Sequence, residues 1–327
     1  MKSLKIFLFV IFALVLIFAA CFYTYDEMLP PKNFKPTKVT IPPDSTVQQI
    51  AEIAYKNNLI KNKTLFVLLS KYYKIDKNLK SGIYTFDKKM DLREVLLKFT
   101  EGGIPPYVKV TIPEGYTLKE IEEIFIRNRI CSKEDFEREV SNIDKYKNYI
   151  FDGADSLEGF LYPDTYFFER EKTEKDIKMM LENFKSKCNP LFNEYKGDLS
   201  NYEVLILASI VEKEAQVDEE RKIIASVFIN RLKLGMKLQA DPTLKYVLPD
   251  AGYTLTSKEL EIDSPYNTYK YRGLPPTPIC NPSVKSIEAV IYPAKTDFLY
   301  FVAKGDGTHL FARTYEEHLK NIRKVMP

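Results

Sequence analysis

A chain of 327 residues with a formal net charge of +3 has room for two modest domains and carries no strong charge bias. The near balance, with no long basic run, gives no reason to expect nucleic acid as a partner. Tyr and Phe number 22 and 21 while Trp is absent, which fits an ordinary core and a sugar-stacking surface equally.

The first segment is more informative. Residues 6–24 hold no charged side chain and are dominated by Phe, Leu, Ile, Val and Ala. A helix needs roughly 20 apolar residues to cross the hydrocarbon core, and this run meets that length. Lys2 and Lys5 precede it, and Asp26 and Glu27 follow it. The positive-inside tendency then predicts a cytoplasmic N-terminus, with everything after Tyr25 outside. Residues 1–25 are expected to anchor the chain in the cell membrane by a single pass. A cleaved signal peptide competes with this, but it would have a shorter apolar core and a small-x-small cleavage site. Ala19-Ala20-Cys21 can also be read as a lipoprotein box, although Phe22 and Tyr23 follow where a polar tether belongs. All three readings leave the rest of the chain outside the cytoplasm.

Cys21, Cys131, Cys188 and Cys280 are scattered, without a Cys-x-x-Cys pair, so neither a zinc site nor a dense disulfide framework is expected. His309 and His318 form no metal-ligand pattern, and no metal or other cofactor is expected. Ser-x-x-Lys, Gly-x-Ser-x-Gly and Gly-x-x-x-x-Gly-Lys do not occur. The simplest readings as serine hydrolase, penicillin-binding enzyme or P-loop ATPase fall away with them.

Pro30, Pro31 and Pro36 mark a linker over 26–37. An internal repeat follows: Lys38-Val39-Thr40-Ile41-Pro42 recurs as Lys109-Val110-Thr111-Ile112-Pro113. At the same offset Thr46, Ile50, Glu52 and Ile53 are matched by Thr117, Ile121, Glu123 and Ile124. Each copy predicts a β-branched strand, a Pro-containing turn and a Thr-capped helix with apolar residues three and four apart. The first copy continues into a helical stretch around Leu65 to Leu69 and a strand-like Ser81 to Phe86. Strand, two helices and strand within 38–104 is the outline of a LysM-like glycan-binding module, although a purely structural cap has the same order. The second copy, 105–140, is expected as a connecting segment.

Beyond it the texture changes. An aromatic-rich loop or strand at 157–168 leads into a charged helix to about Cys188, and two helices span 202–234. A Pro-rich loop from Leu238 to Pro282, a helix near Ser283 to Tyr292, short strands at 299–303 and 309–312, and a terminal helix complete the chain. This predicts an α+β domain over 141–327, the catalytic part of the molecule.

The strongest candidate for chemistry lies in Val204 to Ala215, a helical and mostly apolar run. At roughly 100° per residue, Val204, Ile206, Leu207, Ile210 and Val211 fill one arc. Glu214 falls inside that arc, whereas Glu212 falls nearer the solvent flank of Lys213. A carboxyl facing apolar surface loses hydration, which raises its pKa. A carboxylic acid that is neutral near pH 7 can protonate a leaving-group oxygen, as glycosidic cleavage requires. A solvated helix end or a surface charge cluster remains the alternative for Glu-Lys-Glu.

The chain resembles the endolytic murein transglycosylase (MltG, or YceG-like) family nearly end to end. The resemblance is carried by Leu207-Ala-Ser-Ile-Val-Glu-Lys-Glu214, Ala225 to Arg231, Leu238 to Thr243 with Tyr246, and Pro265 to Tyr269. Gly273 to Pro276, Ala294 to Thr296, Tyr300 to Ala303, Glu158-Gly159 and Tyr162 to Thr165 extend it. It implies a membrane anchor, a LysM-like region and a lysozyme-like mixed α+β catalytic domain. It also implies that the second Glu of Glu-Lys-Glu, Glu214, is catalytic. That residue would protonate the glycosidic oxygen of the MurNAc–GlcNAc β-1,4 bond. As carboxylate it would then deprotonate the muramoyl 6-hydroxyl, which closes on C1 as a 1,6-anhydro ring. An attacking group already in place explains how one carboxyl can suffice where most glycosidases use two.

Gln239, Asp241 and Thr243 offer donors and acceptors for sugar hydroxyls or N-acetyl groups, and Tyr266, Asn267 and Thr268 are candidates to line the cleft. The alternative is that both segments merely brace turns. Asp164 and Thr165 are read as structural, Glu212 as a supporting charge, and His309 as a residue of the Gly305 to Thr308 hairpin loop. Expected partners are peptidoglycan glycan strands and the membrane, with cell-wall synthases as a further candidate. The expected role is release or termination of nascent strands near the membrane. A non-catalytic glycan-binding scaffold and a true hydrolase using water are the competing functions.

Overall fold

The computed structural model describes residues 2–252 and 254–325. The chain divides into two compact units, with the boundary after Pro106.

The first unit opens with helix α1 (Lys2–Met28), whose stretch Phe9–Met28 is long and apolar enough to cross a membrane. The helix runs on past Thr24 because Tyr25, Asp26 and Glu27 contain no breaker. Phe9 and Phe18 stand more than two-thirds exposed, since no part of the unit covers them. Strand β1 (Thr37–Ile41), helices α2 (Val47–Lys56) and α3 (Lys63–Tyr72) and strand β2 (Gly82–Phe86) then follow in the expected order. The strands pair antiparallel, Thr37 opposite Phe86 and Ile41 opposite Gly82. A further helix, α4 (Leu92–Glu101), closes the unit. Asp91 and Glu94 cap it reciprocally, and Leu92, Val95, Leu96 and Phe99 recur at helical spacing and are buried. Phe66, Tyr84 and Phe86 meet Phe99 edge-on, with centroids 4.9 to 6.3 Å apart, and these rings centre the core.

The second unit contains β3 (Tyr107–Thr111), α5 (Leu118–Arg127), α6 (Lys133–Val140), β4 (Thr165–Glu169), α7 (Thr173–Glu194), α8 (Asn201–Glu214) and α9 (Asp218–Lys233). Next come α10 (Asp241–Val247), α11 (Ser257–Leu260), α12 (Val284–Ile291), β5 (Tyr300–Ala303), β6 (His309–Ala312) and α13 (Tyr315–Val325). The stretch 238–282, expected as loop, thus holds two short helices. Residues 105–140, expected as a connector, contribute β3 and α5 and send Val110, Ile112, Ile121, Ile124 and Phe125 into the main core. β3 pairs antiparallel with β4, and the hydroxyls of Thr111 and Thr165 meet across it at 2.8 Å. Both units mix helices with two-stranded sheets, so the α+β class holds.

The repeat is real at the level of backbone chemistry. Thr46 and Thr117 each accept the third backbone N–H of their helix, while Gln49 and Glu120 reach back to the capping residue's own N–H. The partners differ, however: the first copy closes on β2, the second on β4. Thr117→Ala is expected to cost about 1 kcal/mol, seen as a lower urea midpoint with an unchanged slope.

Candidate active site

Helix α8 is capped at Ser200 and buried on every side from Val204 to Val211. The single apolar arc expected from the sequence is therefore a fully covered helix, packed by α9, α10 and α12. Only its last turn leaves that cover. There Lys213 points outward and Glu214, the final helical residue, is half-buried in the wall of a cleft of about 400 Å³. Among the described residues, no hydrogen-bond partner takes either oxygen of Glu214. Its carboxyl is pushed up to about 8, first by burial and then by the nearby Asp241 carboxylate, with Lys245 and Arg231 acting in the opposite sense. The exposed carbonyls at the end of α8 act in the same direction as Asp241.

Gln239 and Asp241 share this cleft with Glu214. Gln239 adopts φ +51°, turning the chain so that its amide reaches the cleft while its backbone N–H bonds the Thr268 carbonyl at 3.1 Å. Asp241 opens α10 and accepts the hydroxyl of Tyr269. The other four predicted residues lie elsewhere. Thr243 and Thr268 are buried, their hydroxyls 2.9 Å apart and both engaged with Ala240, so they fix the backbone beneath Gln239 and Asp241. Asn267 is fully buried and spends its amide on Leu260, Ile262, Tyr269 and Lys270 backbone groups, leaving nothing for a sugar. Tyr266 is held by Thr277 through its hydroxyl and by the Tyr246 ring, outside the cleft lining.

Residues 39–324 match the model of the YceG-like family. The chain belongs to this family. An endolytic murein transglycosylase of Bacillus subtilis (strain 168) is 37% identical over 330 residues, which cover 95% of this chain and 91% of that protein. Its namesake from Streptococcus pneumoniae (strain D39) is 34% identical over 92% of this chain and 60% of that protein. The crystal structure of a yceG-like protein from Listeria monocytogenes is similar at 36% identity with a TM-score of 0.59, covering 87% of this chain and 98% of that one.

Several polar residues of this YceG-like chain were not legible as site residues. Arg231 reaches the cleft from α9 and ties its two walls together, donating to the carbonyls of Leu299 at 2.6 Å and Leu238 at 2.7 Å. His309 begins β6, where the strand over 309–312 was expected, but it is buried and lines the cleft rather than belonging to the hairpin loop. The Gly-rich hairpin before it and a partner, Glu220, 89 residues away hid that placement. Glu158 is a second carboxyl pushed up to about 8 by burial. It is fully engaged by the Leu118 N–H, the Tyr246 hydroxyl and the Asn281 amide, each at 3.1 Å, and so joins α5, α10 and the 281 turn. Of the two carboxyls raised to about 8, Glu214 is the one that faces the cleft and, among the described residues, the one with neither oxygen bonded.

Glu212 also differs from expectation. Its side chain is 7% exposed, and it accepts the Ser283 N–H at 2.9 Å and hydroxyl at 2.6 Å while pairing with Arg221 at 3.3 Å. It is a buried clamp between α8, α9 and the start of α12, not a charge on the solvent flank. Glu212→Ala is expected to destabilise the protein by about 3 kcal/mol, since it leaves the buried Ser283 N–H without its acceptor and takes away one of the two carboxylates that pair with Arg221. An unchanged urea midpoint would exclude that role.

Glu214 carries the opposite signature. Its folded value lies above the ordinary 4.5, so between about pH 4.5 and 8 the native state holds a proton the unfolded chain has released. Stability therefore declines across that window as pH rises. Glu214→Gln should match the parent below pH 4.5 and exceed it by about 1 kcal/mol above pH 8, the figure being reduced for the partial exposure of the group. Thermal melts at the two pH values check this.

Proposed function

We propose that the chain is a peptidoglycan lytic transglycosylase that cuts glycan strands within the strand, with Glu214 as its acid. The observation that carries this is an unpartnered carboxyl, held neutral near pH 7, in a cleft bordered by Gln239, Asp241 and tyrosines. The names of the relatives from Bacillus and Streptococcus support the same substrate. Glu214 protonates the oxygen between MurNAc and GlcNAc as its bond to C1 breaks, and the muramoyl 6-hydroxyl, giving its proton to a base in the cleft, bonds to C1 as a 1,6-anhydro end. Because the nucleophile belongs to the substrate, the cleft need only hold it in line, and Gln239 and Asp241 are placed to grip the sugars that flank the cut. The reaction needs no cofactor.

In this reading α1 spans the cell membrane with its N-terminus in the cytoplasm, and the remainder works on strands at the outer face. Such a tether favours nascent strands and the neighbourhood of the synthases that make them, and cutting there terminates elongation. The first unit serves as a LysM-like glycan contact. A groove of about 500 Å³ between the β1–α2 turn (Pro42, Asp44, Ser45) and the α3–β2 loop (Leu79, Lys80, Ser81) supports this.

Incubation of the protein with peptidoglycan and mass spectrometry of the products tests the reading. Anhydro-muramoyl ends are expected from the parent, and Glu214→Gln should lower turnover by at least about 10³-fold while still binding strands. Reducing ends would instead mark a hydrolase, with Asp241 the group to activate water. Intact strands would mark a binding scaffold.

A further inference from the structure

Both histidines of the sequence line the same cleft as Glu214. His309 is the better placed, with a side chain only 5% exposed. Glu220 on α9 accepts its backbone N–H at 3.1 Å and meets its Nδ1 at 2.7 Å. In the neutral imidazole a carboxylate on Nδ1 favours the tautomer with the proton on that nitrogen, which leaves the lone pair on Nε2. Phe301 meets the ring edge-on at 5.3 Å and Phe311 lies at 6.2 Å, which holds the imidazole in one orientation. Among the described residues nothing bonds Nε2, leaving it for whatever enters the cleft. Of the other polar groups there, Glu214 already carries a proton, Arg231 only donates and Asp241 accepts the Tyr269 hydroxyl, while His318 has a buried Nδ1 that bonds nothing and no carboxylate to orient its ring among the described residues.

We propose that His309, oriented by Glu220, is the general base that takes the proton of the attacking sugar hydroxyl; this rests on the transglycosylase reading above and refines it. Glu214 becomes a carboxylate only once it has given up its proton, whereas Nε2 is an acceptor from the start. The O–H bond of the 6-hydroxyl breaks and its proton moves to Nε2 while the oxygen bonds to C1. The bond from C1 to the departing sugar breaks, its electron pair stays on oxygen, and that oxygen takes the Glu214 proton. The imidazolium then returns a proton to Glu214, directly or through water, which resets both groups with none gained or lost.

The test measures kcat and KM of the full chain in detergent on isolated glycan strands, for the parent, His309→Gln and Glu220→Gln. His309→Gln is expected to lower kcat by about 10²-fold or more with KM nearly unchanged, and Glu220→Gln by about tenfold. Added imidazole should restore part of the turnover of His309→Ala, which a packing role would not allow. A kcat for His309→Gln within about threefold of the parent, with anhydro ends retained, overturns the assignment and leaves the transglycosylase reading standing. Reducing ends from the parent overturn both. Should His309→Gln fail to fold in a thermal melt, Glu220→Gln decides, and an undiminished kcat there sinks the proposal.

Discussion

Water is excluded from α8 along its buried length and readmitted only at its last turn, and the chemistry of the second unit depends on where that change occurs. Two residues earlier, on another side of the helix, a carboxyl is enclosed and must be fully bonded, as Glu212 is by Ser283 and Arg221. At Glu214 the cover is incomplete, so the group is dehydrated enough to keep its proton and open enough to be reached. Three residues of the same helix end thus take three fates: clamp, solvated flank and acid. Packing from α9, α10 and α12 sorts them.

Much of this was legible in the sequence, for reasons that can be named. Element order followed from capping residues and apolar spacing, which act locally, and the two Thr-capped copies were visible because both halves of the capping box lie within four residues. The elevated state of Glu214 followed from its place on an apolar helix. Partners brought together from far apart were not legible. Glu212 meets a serine 71 residues away, and His309 meets a glutamate 89 residues away, so no local pattern announces either. For the same reason the entry of 105–140 into the second core was not legible, since it depends on what lies opposite; α4 is a different case, because its capping box of Asp91 and Glu94 and its apolar spacing are local signals.

Polar residues of the 239–268 region divide into those that face the cleft and those that hold it. Gln239 and Asp241 face it, while Thr243, Thr268 and Asn267 beneath them bond only to backbone and to each other. Sequence patterns cannot separate the two sets, because a short polar side chain serves equally as a contact or a brace. Burial separates them. The bracing set confers rigidity on the facing set, which matters where the attacking group must be held close to one line of approach.

Asn281 gives the architecture a temporal meaning. Its amide and backbone bond Gly115, Tyr116, Glu158 and Leu161, bridging up to 166 residues (115 to 281), and the cleft itself draws side chains from Glu214 through His318. The first unit, by contrast, closes on neighbours within its own short stretch of chain. A ribosome making this protein would therefore expose the N-terminal module well before the groove of the second unit exists, because that groove waits for residues as far along the chain as His318. Cutting activity stays latent until the 309–318 stretch has been made and has closed on α9.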